Sequence, residues 1–108
     1  MSTNINIREF NRLYGNLNEL HRRVFDEEKE YPRVLCAKWF VRELMTILNT
    51  DDLRQMLTQE QVDNIIENSI SLLRARIFDN EYKQAIVLGI KELRKFKASF
   101  ETQQTISM

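Results

Sequence analysis

A chain of 108 residues has room for one compact domain with a single hydrophobic core. Its 43% hydrophobic and 30% charged residues are typical of a folded protein, and a net charge of zero provides no overall field that would attract nucleic acid or an anionic membrane. With only 2 Gly and 1 Pro, the chain lacks the turn residues that a β-sandwich or β-barrel requires, so we expect helices joined by few loops.

The first predicted helix begins at Ile7, after an N-terminal tail of residues 1–5. Asn6 is a suitable N-cap, and Glu9 stands at the position that completes a capping box. Gly15 marks a place where this helix would kink or split. Apolar residues recur at alternating spacings of three and four, which predicts one narrow buried seam made of Phe10, Leu13, Leu17, Leu20 and Val24.

Pro32 suits the first turn of the second predicted helix. Leu35 and Trp39 lie one turn apart on the polar side of this helix, beside Lys38 and Arg42. Either another helix covers Leu35 and Trp39, or all four residues form an exposed surface that contacts a partner; Trp and Arg are enriched among the residues that dominate binding energy. The main apolar stripe lies opposite and consists of Val34, Ala37, Val41, Leu44 and Leu48.

We expect a short helical turn over residues 51–57, followed by the third helix. Thr58 as N-cap and Gln61 at the third helical position form a capping box, which is the clearest helix start in the chain. The apolar seam of this helix continues through Arg76. We expect the Arg76 side chain to extend past the core to solvent or to meet a carboxylate.

Asp79 and Asn80 predict a turn whose side chains cap the fourth helix, over residues 81–100, before a polar C-terminal tail of residues 101–108. Gly89 lies on the apolar face of this helix, where a close crossing by another helix would explain why the better helix former Ala is absent. The opposite face is basic, and it is either a solvated surface or a contact for an acidic partner. Its cations are Lys83, Lys91, Arg94 and Lys95.

Four amphipathic helices with short connections predict an all-α domain over residues 6–100. It is either an antiparallel four-helix bundle or a stacked pair of helical hairpins. The most apolar segment, residues 34–48, contains Lys38, Arg42 and Glu43, so we expect no membrane span. The polar N-terminus and the single cysteine predict a cytoplasmic or nuclear protein rather than a secreted one.

The chain has one His and one Cys, which gives little material for catalysis or metal binding. Cys36 and His21 are predicted on different helices, and no third group is available to orient them as a nucleophile and its base. A zinc site would need two carboxylates in addition. No Gly-rich phosphate-binding loop follows a strand. We therefore expect neither an enzyme nor a metal or other cofactor.

Two patches of the sequence resemble a known family. One reads Ile77-Phe78-Asp79-Asn80-Glu81-Tyr82 and continues with Ile86, Gly89, Ile90 and Leu93, and the other contains Asn16-Leu17-Asn18, Leu20 and Arg22. Together they resemble the C-terminal helical domain of katanin's regulatory, non-ATPase subunit, although this chain is shorter and its middle helices align poorly. The resemblance implies a non-enzymatic adaptor that binds the helical N-terminal domain of a microtubule-severing ATPase subunit and contributes to microtubule binding.

The leading functional prediction is a helical protein–protein interaction or adaptor module with a protein partner, such as an α-helical domain; a homo-oligomer is also compatible with the sequence. One alternative is a small inhibitor of the viral or phage type that binds a host protein. Another is a helix-turn-helix nucleic-acid binder made of residues 51–57 and the third helix. The early residues of that helix include Glu60, Asp63 and Glu67, which would repel phosphate, so we do not expect nucleic acid as the partner.

Overall fold

The computed structural model describes the backbone of residues 2–26 and 32–107, and the side chains of residues 6–26 and 32–100. The backbone forms five α-helices, which are α1 (Ser2–Val24), α2 (Arg33–Asn49), α3 (Asp51–Arg54), α4 (Gln59–Arg74) and α5 (Asn80–Ser107). No strand occurs within these ranges. The all-α class predicted from the helical periodicity is therefore confirmed.

The long helices pair as two hairpins, α1 with α2 and α4 with α5. At the junction of the first hairpin, Arg33 of α2 donates from Nε to the carbonyl oxygen of Val24, the last residue of α1, at 2.8 Å. In the second hairpin, Lys97 late in α5 lies 2.7 Å from a carboxylate oxygen of Asp63 early in α4. Each pair is therefore antiparallel, as expected for helices joined by short connections.

The first stacking contact between the hairpins joins α2 to α5. Lys38 in the first half of α2 lies over Tyr82 at the start of α5, with Nζ 5.0 Å from the ring centroid. Later in both helices, Leu44 and Leu48 of α2 approach Gly89 of α5. The first half of α2 thus contacts the start of α5, and the second half of α2 contacts a later part of α5. The two helices therefore run parallel.

The second stacking contact joins α1 to α4 through polar side chains. Asn64 donates from Nδ2 to Tyr14 Oη and to Asn18 Oδ1, both at 2.9 Å. One turn further along α4, Asn68 donates from Nδ2 to Asn18 Oδ1 at 3.3 Å, and Phe25, which follows α1, lines the same pocket as Arg74 at the end of α4. These two helices also run parallel, so the fold is a stacked pair of hairpins rather than a bundle in which all neighbours are antiparallel.

The hydrophobic core lies between the two hairpins. All five residues of the seam predicted on α1 are buried, with exposed fractions of 8% or less. Burying a large aliphatic or aromatic side chain stabilises a fold by about 1.5–3 kcal/mol relative to leaving it exposed. The largest fully buried side chains come from all four long helices: Phe40, Leu13, Leu17, Leu44, Ile47, Ile65, Leu72, Ile86 and Leu93.

The first and last helices are longer than predicted. α1 begins at Ser2 rather than at Ile7, so Asn6 is an interior helical residue and not the N-cap. Its side-chain Nδ2 donates instead to Oδ2 of Asp52, a residue of α3, at 3.3 Å. α1 is also continuous through Gly15, and α5 continues to Ser107, where we expected a polar tail. The side chains of residues 1–5 and 101–108, the two predicted tails, lie outside the described residues.

The start of α4 was predicted correctly, and its end was not. Thr58 Oγ1 accepts from the Gln61 amide at 3.1 Å, and Gln61 Oε1 accepts from the Thr58 amide at 3.0 Å, which completes the capping box. The helix then ends at Arg74. Arg76 is exposed and has a φ of 55°, the left-handed conformation that commonly follows a helix C-terminus. The chain turns there, which removes Arg76 from the core seam in which the periodicity had placed it.

Gly89 allows α2 and α5 to approach closely, as predicted from its place on an apolar face. A Cβ atom at this position would lie 3.1 Å from Leu44 Cδ2 and 3.2 Å from Met45 Cε, both on α2. Gly15 is the only other glycine in the chain, and a Cβ there would meet nothing within 4 Å. The two helical glycines therefore have opposite surroundings.

We predict that Gly15→Ala raises the free energy of unfolding by about 0.5–1 kcal/mol, because Ala is the better helix former and the site is open. Gly89→Ala should give no such gain, because its methyl group displaces Leu44 and Met45 and the resulting overpacking offsets the helix propensity. Urea unfolding followed by circular dichroism would measure both variants. Equal stabilisation at the two positions would show that α2 and α5 are not in close contact at Gly89.

Candidate protein-binding surface

The outer face of α2 contains the residues predicted to contact a partner. The opposite side of the helix enters the core through Cys36, Ala37 and Phe40, each 0% exposed. Leu35 and Trp39 remain 38% exposed. We refer to Leu35, Trp39, Arg42 and Thr46, which follow one another along this side at helical spacing, as the α2 strip.

Trp39 lies at the edge of a groove between α1 and α2 with a volume of about 450 Å³. With 38% of its surface exposed, the Trp39 side chain is mostly covered but still reaches solvent. Trp39 is therefore neither fully covered by another helix nor fully exposed. The groove is lined by Asn16, Glu19, Leu20, Arg23, Trp39, Arg42, Glu43 and Thr46.

The charges along the groove differ in how far the fold compensates them. On α1, Glu19 Oε1 accepts hydrogen bonds from Arg22 Nη2 at 2.5 Å and from Arg23 Nε at 3.1 Å. The hydrogen bond from Arg22 contributes most to holding the pKa of Glu19 below its ordinary value. Arg42 is exposed and has no carboxylate within 4.0 Å among the described residues. Its guanidinium group is therefore available to a partner's carboxylate.

Lys38 does not face the groove with Trp39 and Arg42. Its ammonium group lies over the Tyr82 ring and 3.9 Å from Asp79 Oδ2. Asp79 also caps α5, since its Oδ1 accepts from the Tyr82 amide at 3.1 Å, as predicted for this turn. Three of the four residues predicted as one surface therefore lie on the α2 strip, and the fourth, Lys38, links α2 to the start of α5.

The basic residues predicted on α5 occupy exposed positions of this helix. Lys83, Lys91, Arg94 and Lys95 are all exposed. Lys95 lies 3.6 Å from Glu92, one turn away on the same helix. Sequence reasoning missed Leu88, which is 59% exposed on this helix. Its position off the apolar stripe, among lysines, was the signal that could have identified it.

The two candidate catalytic side chains occupy different surroundings. Cys36 is a free thiol at 0% exposure inside the core. His21 is partly buried on α1, with its ring centroid 5.1 Å from that of Phe25 and its Nε2 without a hydrogen-bond partner. Burial lowers the pKa of His21. In the part of the chain that the structure describes, no group of three or more His, Cys, Asp or Glu residues is placed to hold a metal ion.

None of the helical segments whose residues are described combines the length and apolarity needed to cross a membrane. Comparisons of the chain with protein-family models, with curated proteins and with solved structures found no match.

The partial exposure of Trp39 leads to a stability prediction with an internal control. Trp39→Ala should lower the free energy of unfolding by about 1–2 kcal/mol, because only part of the side chain is buried. Phe40→Ala, at the adjacent and fully buried position, should cost about 3–5 kcal/mol. Urea unfolding of both variants would test this. Equal losses would place Trp39 in the core and remove it as a binding residue.

The environment of His21 leads to a prediction for the pH dependence of stability. Because burial depresses the His21 pKa in the folded state, the unfolded chain binds a proton more readily. The contribution of neutral His21 to the free energy of unfolding should therefore be complete above the ordinary imidazole pKa of about 6.5. It should decrease as the pH falls from there through the pKa of His21 in the folded state. His21→Gln should show a smaller decrease in melting temperature than the wild type between about pH 7.5 and about pH 5.5. An identical decrease in both proteins would assign the effect to other groups.

Proposed function

We propose that this protein is a non-enzymatic helical adaptor that binds a protein partner through the α2 strip and the adjoining groove. The observation that carries the proposal is Trp39, an aromatic side chain that lines the groove and is 38% exposed. Binding hot spots are typically aromatic or arginine side chains in such semi-enclosed positions. Leu35 and Arg42 extend the surface with apolar area and an uncompensated charge.

The shape and charge of this surface favour an α-helical segment as the bound part of the partner. A groove between two helices accepts a third helix, whose apolar residues contact the groove at intervals of three and four. Such a helix would place an apolar side chain against Leu35 and Trp39 and a carboxylate near Arg42. Carboxylate–guanidinium pairing would then fix its direction and register.

The resemblance to the katanin regulatory subunit supplies a specific partner within this proposal. We infer that the partner is the helical N-terminal domain of a microtubule-severing ATPase subunit, with microtubules as a second binding target. Support comes from the two sequence patches and from the helical form that the groove favours.

The nucleic-acid alternative has less support from the geometry. α3 and α4 follow each other as a helix-turn-helix unit would require. The surface around the start of α4 includes Glu60, Asp63 and Glu67, and carboxylates at these positions repel phosphate. An inhibitor protein of the viral or phage type would use the same α2 strip against a different protein, so substitution of Trp39 should weaken that complex as well.

The proposal predicts that Trp39→Ala weakens binding of the ATPase subunit's N-terminal domain by about 2 kcal/mol or more, roughly thirtyfold. Isothermal titration calorimetry would measure the dissociation constant. Glu60→Ala, an exposed change at the first turn of α4, serves as the matched control and should bind as the wild type does.

Circular dichroism should show that both variants remain folded. A folded Trp39→Ala protein with unchanged affinity would refute the α2 strip as the binding surface. Absence of binding by the wild type would refute the katanin-like partner.

A further inference from the structure

The outer face of α5 presents the most exposed large hydrophobic side chain among the described residues. Leu88 is 59% exposed, and Val87 beside it is partly buried. The core-facing side of α5 is already occupied, since Ile86, Ile90 and Leu93 are all buried. Leu88 therefore contributes nothing to the core and remains in contact with water.

The same face concentrates positive charge that the fold leaves uncompensated. Lys83, Lys91 and Arg94 are exposed, and none has a carboxylate within 4.0 Å in the described part of the chain. On α1, by contrast, Arg12 and Arg22 each pair with a glutamate one turn away, at 2.6 Å and 2.5 Å respectively. Among the described side chains of α5, the exposed carboxylates are Glu81 and Glu92, and Glu92 pairs with Lys95 at 3.6 Å, so the remaining cations give this helix a local excess of positive charge although the net charge of the whole chain is zero.

We propose that this face is a second binding surface, and that its occupant is an acidic amphipathic helix of a protein partner. Apolar side chains of that helix would cover Leu88 and Val87, and its carboxylates would reach Lys83, Lys91 and Arg94. The excess of positive charge favours an acidic partner, and the exposed Leu88 favours one that also has an apolar stripe.

Two other anionic partners match the surface less well. A nucleic acid would contact the lysines through its phosphates and leave Leu88 in water, because phosphate contacts use no apolar surface. An anionic membrane requires a wide apolar face on the helix, and the wide apolar face of α5 is buried in the core. Only the acidic amphipathic helix uses both features.

This surface is separate from the α2 strip. The contact of Lys38 with Tyr82 and Asp79 lies at the boundary between α2 and α5. The inference therefore goes beyond the proposed function and does not depend on it, and two occupied surfaces would let one domain connect two proteins.

The test uses a synthetic helical peptide with a leucine stripe flanked by glutamates, titrated into the full chain at low ionic strength. Fluorescence anisotropy of the labelled peptide gives the dissociation constant. Peptides with Gln in place of Glu, or Ala in place of Leu, are the matched controls and should bind at least about tenfold more weakly.

On the protein, Leu88→Gln should weaken binding by about tenfold, because an apolar contact is lost from a side chain that the fold does not need. The double variant Lys83→Gln, Lys91→Gln should weaken it similarly and reduce its dependence on salt. Arg12→Gln, which removes a paired cation on α1, should leave binding unchanged. Circular dichroism verifies folding of each variant.

Several outcomes would overturn the proposal. These are no binding of the acidic leucine peptide at low salt, unchanged binding by Leu88→Gln, or loss of binding in Arg12→Gln. Tighter binding of a single-stranded RNA or of phosphatidylserine vesicles, without sensitivity to Leu88, would instead identify a general anion-binding surface. Salt-sensitive self-association that Leu88→Gln abolishes, measured by analytical ultracentrifugation, would identify a second copy of the chain as the occupant.

Discussion

The burial of α2 on two sides is the constraint on which the rest of the structure depends. α1 packs on one side of α2 and α5 on the other, and the absent side chain of Gly89 lets α5 come close to α2. A helix enclosed in this way contacts water mainly along one narrow strip, although Val34 of the predicted apolar stripe is also 44% exposed at its first turn. The positions of Leu35, Trp39 and Arg42 on that strip follow from core packing, so the surface is held on a rigid element, as precise binding requires.

Local patterns in the sequence were sufficient to predict most of the helices, because their determinants lie within a few residues. The seam from Phe10 to Val24 and the capping box of Thr58 and Gln61 are examples. The errors occurred where a local signal competed with a longer-range effect. Asn6 has the chemistry of an N-cap but is helical and bonded to Asp52 of α3, and Arg76 continues an apolar period after the chain has already turned.

The candidate surfaces were only partly predictable for a related reason. Helical spacing placed Leu35, Trp39 and Arg42 on one side of α2, and the structure agrees. The same spacing could not reveal that Lys38 meets Tyr82 and Asp79, because that contact depends on which helix packs alongside. The stacking of two hairpins, with parallel neighbours across the interface, likewise results from tertiary contacts that the periodicity of each helix does not contain.

Asp79 also determines where the chain can tolerate a change in length. One of its carboxylate oxygens caps the first turn of α5 and the other faces Lys38 of α2, so the residue marks the point from which the buried face of α5, with Ile86 and Leu93, is in register with α2. A residue inserted before Asp79 lengthens the connection in which Ile77 and Phe78 are only partly buried, and it leaves α5 unrotated. A residue inserted after it rotates the remainder of α5 by about 100°, which moves Gly89 away from Leu44 and brings a side chain into the crossing. Natural length variation in this hairpin should therefore be confined to the N-terminal side of Asp79.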